Sequence, residues 1–169
     1  MTNDIAVPPK GTIPEGFSVL DKGLGFSDAL RPIYRCDGNP PSVGIVVQHT
    51  HTNLLNICHG GVLMTLADVG ASWAVNHARG EVLPAPTLNL TFDFISAAKL
   101  GEWLQVDVDR ISLKRSMGFA SGVISSGNRT ICRFSGSFFF PEPGRFDVNA
   151  ERLATLQKRS GDQDEGSSE

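Results

Sequence analysis

Gly60-Gly61-Val62-Leu63-Met64-Thr65-Leu66-Ala67-Asp68-Val69-Gly70-Ala71-Ser72-Trp73-Ala74-Val75-Asn76-His77-Ala78-Arg79, residues 60–79, is a run of twenty residues without proline, closed by Gly80. It reads as a helix of roughly five turns, about 30 Å long. Apolar residues fall nearly all round it, so the helix is expected to be buried rather than amphipathic. The segments that follow have a different period. Thr87-Leu88-Asn89-Leu90-Thr91-Phe92-Asp93-Phe94 alternates polar and apolar without a fault, which predicts a half-buried strand. Trp103 to Val108 alternates again, and the parity then shifts to Ile111 and Leu113, which predicts a bulge near Arg110. Phe119–Ser126 and Ile131–Phe140 flank Ser126-Gly127-Asn128-Arg129, a turn signal, and should form a hairpin that Pro141 and Pro143 stop. Val43–Gln48 is a shorter strand candidate and Pro32–Cys36 a weaker one. Asp147–Arg159 fits an exposed helix. One buried helix followed by antiparallel strands makes an α+β domain with the sheet wrapped on the helix.

The 169 residues fit one domain. The expected organisation is an N-terminal arm over 1–15, the domain over 16–145, a C-terminal helix over 146–159 and a polar tail over 160–169. Fifteen Lys+Arg against eighteen Asp+Glu argue against a broad basic surface for nucleic acid. Three separated cysteines without C-x-x-C suit neither a disulfide framework nor a four-thiolate zinc site. No leader-like start and no membrane-length apolar run is present, so the chain is expected to be soluble, reduced and cytoplasmic, without membrane contact.

Among the candidate chemical groups, Asp68 is the only charged residue between Gly60 and His77. A carboxylate buried in an apolar helix is costly unless it is put to use, and in a cleft it can serve as base or nucleophile. Cys58-His59-Gly60-Gly61 stands at the helix start, where backbone N–H groups lack internal partners and can donate to a developing oxyanion. His49-Thr50-His51 puts two imidazoles on one side of an extended segment. With His59 it suggests a metal site, but no further ligand stands at a suitable spacing, so no metal and no cofactor is expected. The absence of G-x-S-x-G removes an α/β-hydrolase serine mechanism.

His59-Gly60-Gly61, the Leu66-Ala67-Asp68 that follows, Pro86-Thr87-Leu88-Asn89-Leu90 and Ala98-Lys99-Leu100-Gly101-Glu102 together resemble the hotdog-fold acyl-CoA thioesterases of the phenylacetic-acid-degradation (PaaI-like) type, over roughly residues 40–140. The resemblance implies that Asp68 activates water or attacks the thioester itself. It implies that Gly60 supplies an oxyanion N–H with His59 supporting the site, and that Thr87 helps hold the water. Asn53, six residues before His59, would line the pocket, with Gly61 beside the substrate. Asn56 stands where relatives commonly have glycine. Lys114 and Arg115 could contact the phosphates of coenzyme A, or be no more than a solvated strand end. A non-catalytic acyl-CoA-binding module and an enoyl-CoA hydratase or dehydratase remain as alternatives. His59 and Asp68 are nine residues apart, which at about 100° and 1.5 Å per residue sets them on opposite sides of a helix some 13 Å apart. A homodimer with shared sites resolves this, and the resemblance implies such dimers, often paired into homotetramers.

Overall fold

The computed structural model describes residues 13–20, 24–81, 83–142 and 144–157. The expected arm therefore lies mostly, and the expected tail wholly, outside the described residues, as does Pro143.

Seven strands form one antiparallel sheet: β1 (Ser18–Val19), β2 (Ile33–Cys36), β3 (Ser42–Val46), β4 (Thr87–Phe94), β5 (Trp103–Leu113), β6 (Met117–Ser126) and β7 (Arg129–Phe139). Their order across the sheet is β1-β2-β3-β5-β6-β7-β4. The hairpin closes through Gly127, at φ 56°, with Ser126 paired to Arg129. The ladder between β5 and β6 slips between Val108 and Arg110. That bulge accounts for the parity change in the sequence, because an extra residue turns the following side chains to the other face.

The helix α1 (Gly60–Arg79) lies across this sheet. His59 caps its start, and Gly80, in the left-handed conformation at φ 77°, ends it by donating its N–H to Asn76 and His77 carbonyls. Leu63, Leu66, Ala67, Gly70, Ala71, Ala74 and Val75 pack on the inner face of the sheet with Ile45, Leu104, Val106, Ile124, Cys132 and Phe138. At Gly70 the approach is close: a Cβ there would sit 2.6 Å from Val106 Cγ1. A second helix, α2 (Ala150–Gln157), follows β7. Among the described residues no helix is long and apolar enough to cross a membrane.

Three expectations need correction. The helix α1 is buried on one side only; Met64 on its other side is 41% exposed. The strand β4 is an edge strand, not a half-buried one, and Leu88 and Phe94 are each 56% exposed. Apolar patterning shows which side chains need cover, and in a single chain these are left without it. Finally, His49–His51 is a turn of 3-10 helix rather than extended chain. It turns His49 out to solvent and buries His51, so the two imidazoles do not share a ligand face.

That buried imidazole carries a testable consequence. His51 Nδ1 accepts from the Gln48 N–H at 3.1 Å, and its own carbonyl accepts from the His59 N–H at 2.8 Å. Burial lowers its pKa from the usual 6.5, with the Val46 and Ala29 carbonyls opposing. The unfolded chain therefore takes up a proton below pH 6.5 that native His51 refuses, and stability falls as the pH drops through that range. One such group contributes a slope of up to about 1.4 kcal/mol per pH unit. Unfolding free energies of wild type and His51→Asn should converge between pH 7 and 5. Parallel curves would show that His51 carries no part of the dependence.

Candidate functional site

The chemistry-bearing residues gather in two places along α1. Asp68 sits two turns into the helix on its half-open side, and Thr87, the first residue of β4, faces it. Thr87 Oγ1–H donates to Asp68 Oδ1 at 2.6 Å. The expected deep burial of Asp68 is corrected here: the carboxylate is half-buried on the wall of a cavity of about 380 Å³. Val69, Trp73 and Leu83 add apolar wall, and so do residues from the C-terminal segment. A carboxylate held by one hydroxyl, with its second oxygen unbonded among the described residues, can take a proton from water or attack a carbonyl carbon.

The second place is the start of the helix. His59 Nδ1 accepts the Gly61 N–H at 2.9 Å, so the ring acts as an N-cap and its other nitrogen carries the proton. The Gly61 N–H is thereby engaged. Among the described residues nothing accepts the Gly60 N–H, which is the arrangement an oxyanion donor needs. Gly60 lines a separate cavity of about 360 Å³ with Asn53, Ile57, Cys58, Leu63 and Phe94 to Ala98.

The loop before the helix is well tied. Asn53 Oδ1 accepts from the N–H groups of Leu55 at 2.9 Å and Ile57 at 3.4 Å. Asn56 takes φ 56°, the left-handed conformation that asparagine tolerates better than most residues. The Cys58 N–H donates to the Ala98 carbonyl at 2.8 Å. Burial and the neighbouring Cys132 push the Cys58 thiol up to about 12, which leaves it an inert packing group.

The structure thus brings Asp68 and Thr87 together, and Gly60 with Asn53, but keeps the two sets apart. Gly60 and Asp68 are eight residues apart on one helix, about 12 Å along its axis. Lys114 and Arg115 are exposed in the β5–β6 turn. That turn is closed by the Leu113–Gly118 pair, and a Cβ on Gly118 would meet Val75. Val75 is fifteen residues beyond Gly60, about 22 Å along the helix, so within one chain neither base stands near Gly60. The cavity wall formed by Trp73, Phe146, Val148 and Leu153 leaves no mark in the sequence that points to it. Trp73 lies five residues beyond Asp68, a spacing that signals little, and the C-terminal residues carry no local signal.

Comparison with known proteins bears on the fold and the family. The profile of the thioesterase superfamily matches residues 55–133, a span that holds Gly60, Asp68 and Thr87. The Pseudomonas aeruginosa protein named "Putative esterase PA0474" is 36% identical over 131 residues, covering 76% of this chain and 98% of the relative. Acyl-coenzyme A thioesterase 13 of Mus musculus is 27% identical over 110 residues, covering 63% and 77%. A mutant form of the phenylacetic acid degradation protein PaaI from Thermus thermophilus superposes with a TM-score of 0.61 at 25% identity, covering 69% and 98%. A long helix laid on a seven-stranded antiparallel sheet is the hotdog architecture, and with the Pseudomonas relative matched almost end to end the chain belongs to the thioesterase superfamily.

Proposed function

We propose that the protein hydrolyses an acyl- or aryl-coenzyme A thioester to the free acid and coenzyme A. The observation that carries this reading is the Thr87–Asp68 hydrogen bond, which fixes a carboxylate at the wall of a largely apolar cavity. The Gly60 N–H polarises the thioester carbonyl. Asp68 drives water, or its own oxygen, onto the carbonyl carbon, and the intermediate expels the coenzyme A thiolate. In the water route the proton taken by Asp68 passes to the leaving sulfur. In the other, a mixed anhydride forms and water then hydrolyses it. The resemblance to a protein named as an acyl-coenzyme A thioesterase supports the choice of substrate class.

The working unit of this reading is a homodimer, paired in turn as a homotetramer. Gly60 and Asp68 line different cavities of one chain, so one complete site takes Gly60 from one protomer and Asp68 from its partner. The open edge of β4 and the exposed Met64, Leu88, Phe94 and Ile95 are surfaces that a second copy can cover. Lys114 and Arg115, far from Gly60 in their own chain, are candidates for the coenzyme A phosphates of a neighbouring protomer's site.

Release of free thiol from acyl-CoA thioesters, from acetyl to phenylacetyl and long-chain, tests the reading. Turnover of at least one of them is the expected result. Binding without release would mark a non-catalytic acyl-CoA module. A change in enoyl-CoA absorbance without thiol release would mark a hydratase.

A further inference from the structure

The cavity beside Asp68 has a wall made by residues outside the superfamily match: Phe146, Val148 and Leu153, from the segment leading into α2 and its first turn. Val69, Trp73 and Leu83 line the same cavity. Resting on the thioester-hydrolase reading, we propose that this cavity holds the acyl group, an apolar chain or ring. We further propose that the C-terminal segment, with Leu153 at its centre, sets how large that group can be.

Three observations choose the occupant. The reacting carbon must come within reach of Asp68, so one substituent of that carbon enters the space Asp68 lines. The cavity is lined by two acids, Asp68 and Asp147, and among the described residues by no Lys or Arg. Coenzyme A phosphates are repelled there, and so is an acyl group ending in a carboxylate. The surface that the lining presents is mostly apolar. Trp73 Nε1 and Asn76 Oδ1 are closed off from solvent, and the Asn76 Nδ2–H group donates to the Ser72 carbonyl. The wall therefore offers mainly ring and methylene surface, which suits hydrocarbon better than the amides of a pantetheine arm.

The segment is anchored where it leaves the sheet. Gly144, at φ 81°, turns the chain after β7, and the Arg145 guanidinium lies over the Phe139 ring, 5.0 Å from its centre. Phe146 and Val148 nonetheless keep 48% and 39% of their surface exposed, as befits a wall that an apolar ligand would complete. A cavity of about 380 Å³ lies near the small end of ligand sites, roughly 300–1,000 Å³, so modest changes in this wall change what fits.

The experiment compares wild type, Leu153→Trp and Leu153→Ala on acetyl-, hexanoyl-, dodecanoyl- and phenylacetyl-CoA. Leu153→Trp should lower kcat/KM on the bulkiest substrate that wild type accepts by about tenfold or more relative to acetyl-CoA, a size typical of crowding in an apolar pocket. Leu153→Ala should shift the preference toward longer chains. If both variants fold and turn over with the wild-type ranking, the segment is not a size determinant. A loss equal on every thioester, acetyl-CoA included, would place the pantetheine arm in the cavity and overturn the proposal. Binding is read separately, in a Trp103→Phe background, from Trp73 fluorescence on titration with the thioethers butyl-CoA and dodecyl-CoA. A change in their affinity ratio on Leu153→Ala supports the pocket even if no thioester is hydrolysed, in which case only the hydrolytic reading fails. An unchanged ratio overturns the pocket whatever the turnover.

Discussion

Asp68→Asn should lower kcat by about 100-fold or more while leaving KM nearly unchanged, the signature of an interaction used in the transition state and not in binding. The amide has almost the volume of the carboxylate, and its oxygen can still accept the Thr87 hydroxyl, so the fold and the cavity are kept. The variant loses the ability to take a proton or to attack carbon. Thr87→Ala should cost less, about tenfold, because water can stand in for a single hydroxyl. Steady-state kinetics on the best thioester checks both. Retention of more than a tenth of wild-type activity by Asp68→Asn would remove Asp68 from its assigned role, and equal losses would raise Thr87 to the same rank.

Mixing two inactive variants should restore activity. His59→Ala removes the acceptor of the Gly61 N–H, a cap worth about 1 kcal/mol, and loosens the turn that presents the Gly60 N–H. If each site draws His59 and Gly60 from one protomer and Asp68 from the other, a heterodimer of His59→Ala with Asp68→Asn holds one doubly damaged site and one intact site. Random co-refolding makes half the dimers heterodimeric, so about a quarter of wild-type activity should return. Native mass spectrometry confirms that heterodimers are present. Heterodimers without activity would mean that the residues act within one chain.

The helix, the hairpin and the bulge between Val108 and Arg110 were legible because each is written in the local period of the chain. The strand β1 was not: two residues, Ser18 and Val19, held only by pairing with β2, leave no pattern. The 3-10 turn at His49–His51 was missed because burial of one imidazole and its bond to the Gln48 N–H decide it, and neither is a property of the tripeptide. The openness of Leu88 and Met64 is hidden from the sequence for a related reason. Period tells which face wants cover, and the chain alone does not supply it. In the site, Asp68 stood out as a lone charge in an apolar helix. Its nineteen-residue reach to Thr87 came from family resemblance and from no spacing rule, while the wall at Leu153 depends on where the chain returns after the sheet is complete.

The contact between Gly70 and Val106 bears on how such a chain can evolve. Glycine inside a helix costs about 1 kcal/mol against alanine, and here it lets the helix lie close on β5. Even a methyl at position 70 would collide with the Val106 side chain, and Asp68 is carried on the same turn. A lineage that enlarges residue 70 must first shrink residue 106, or else lift the carboxylate off its place above the sheet.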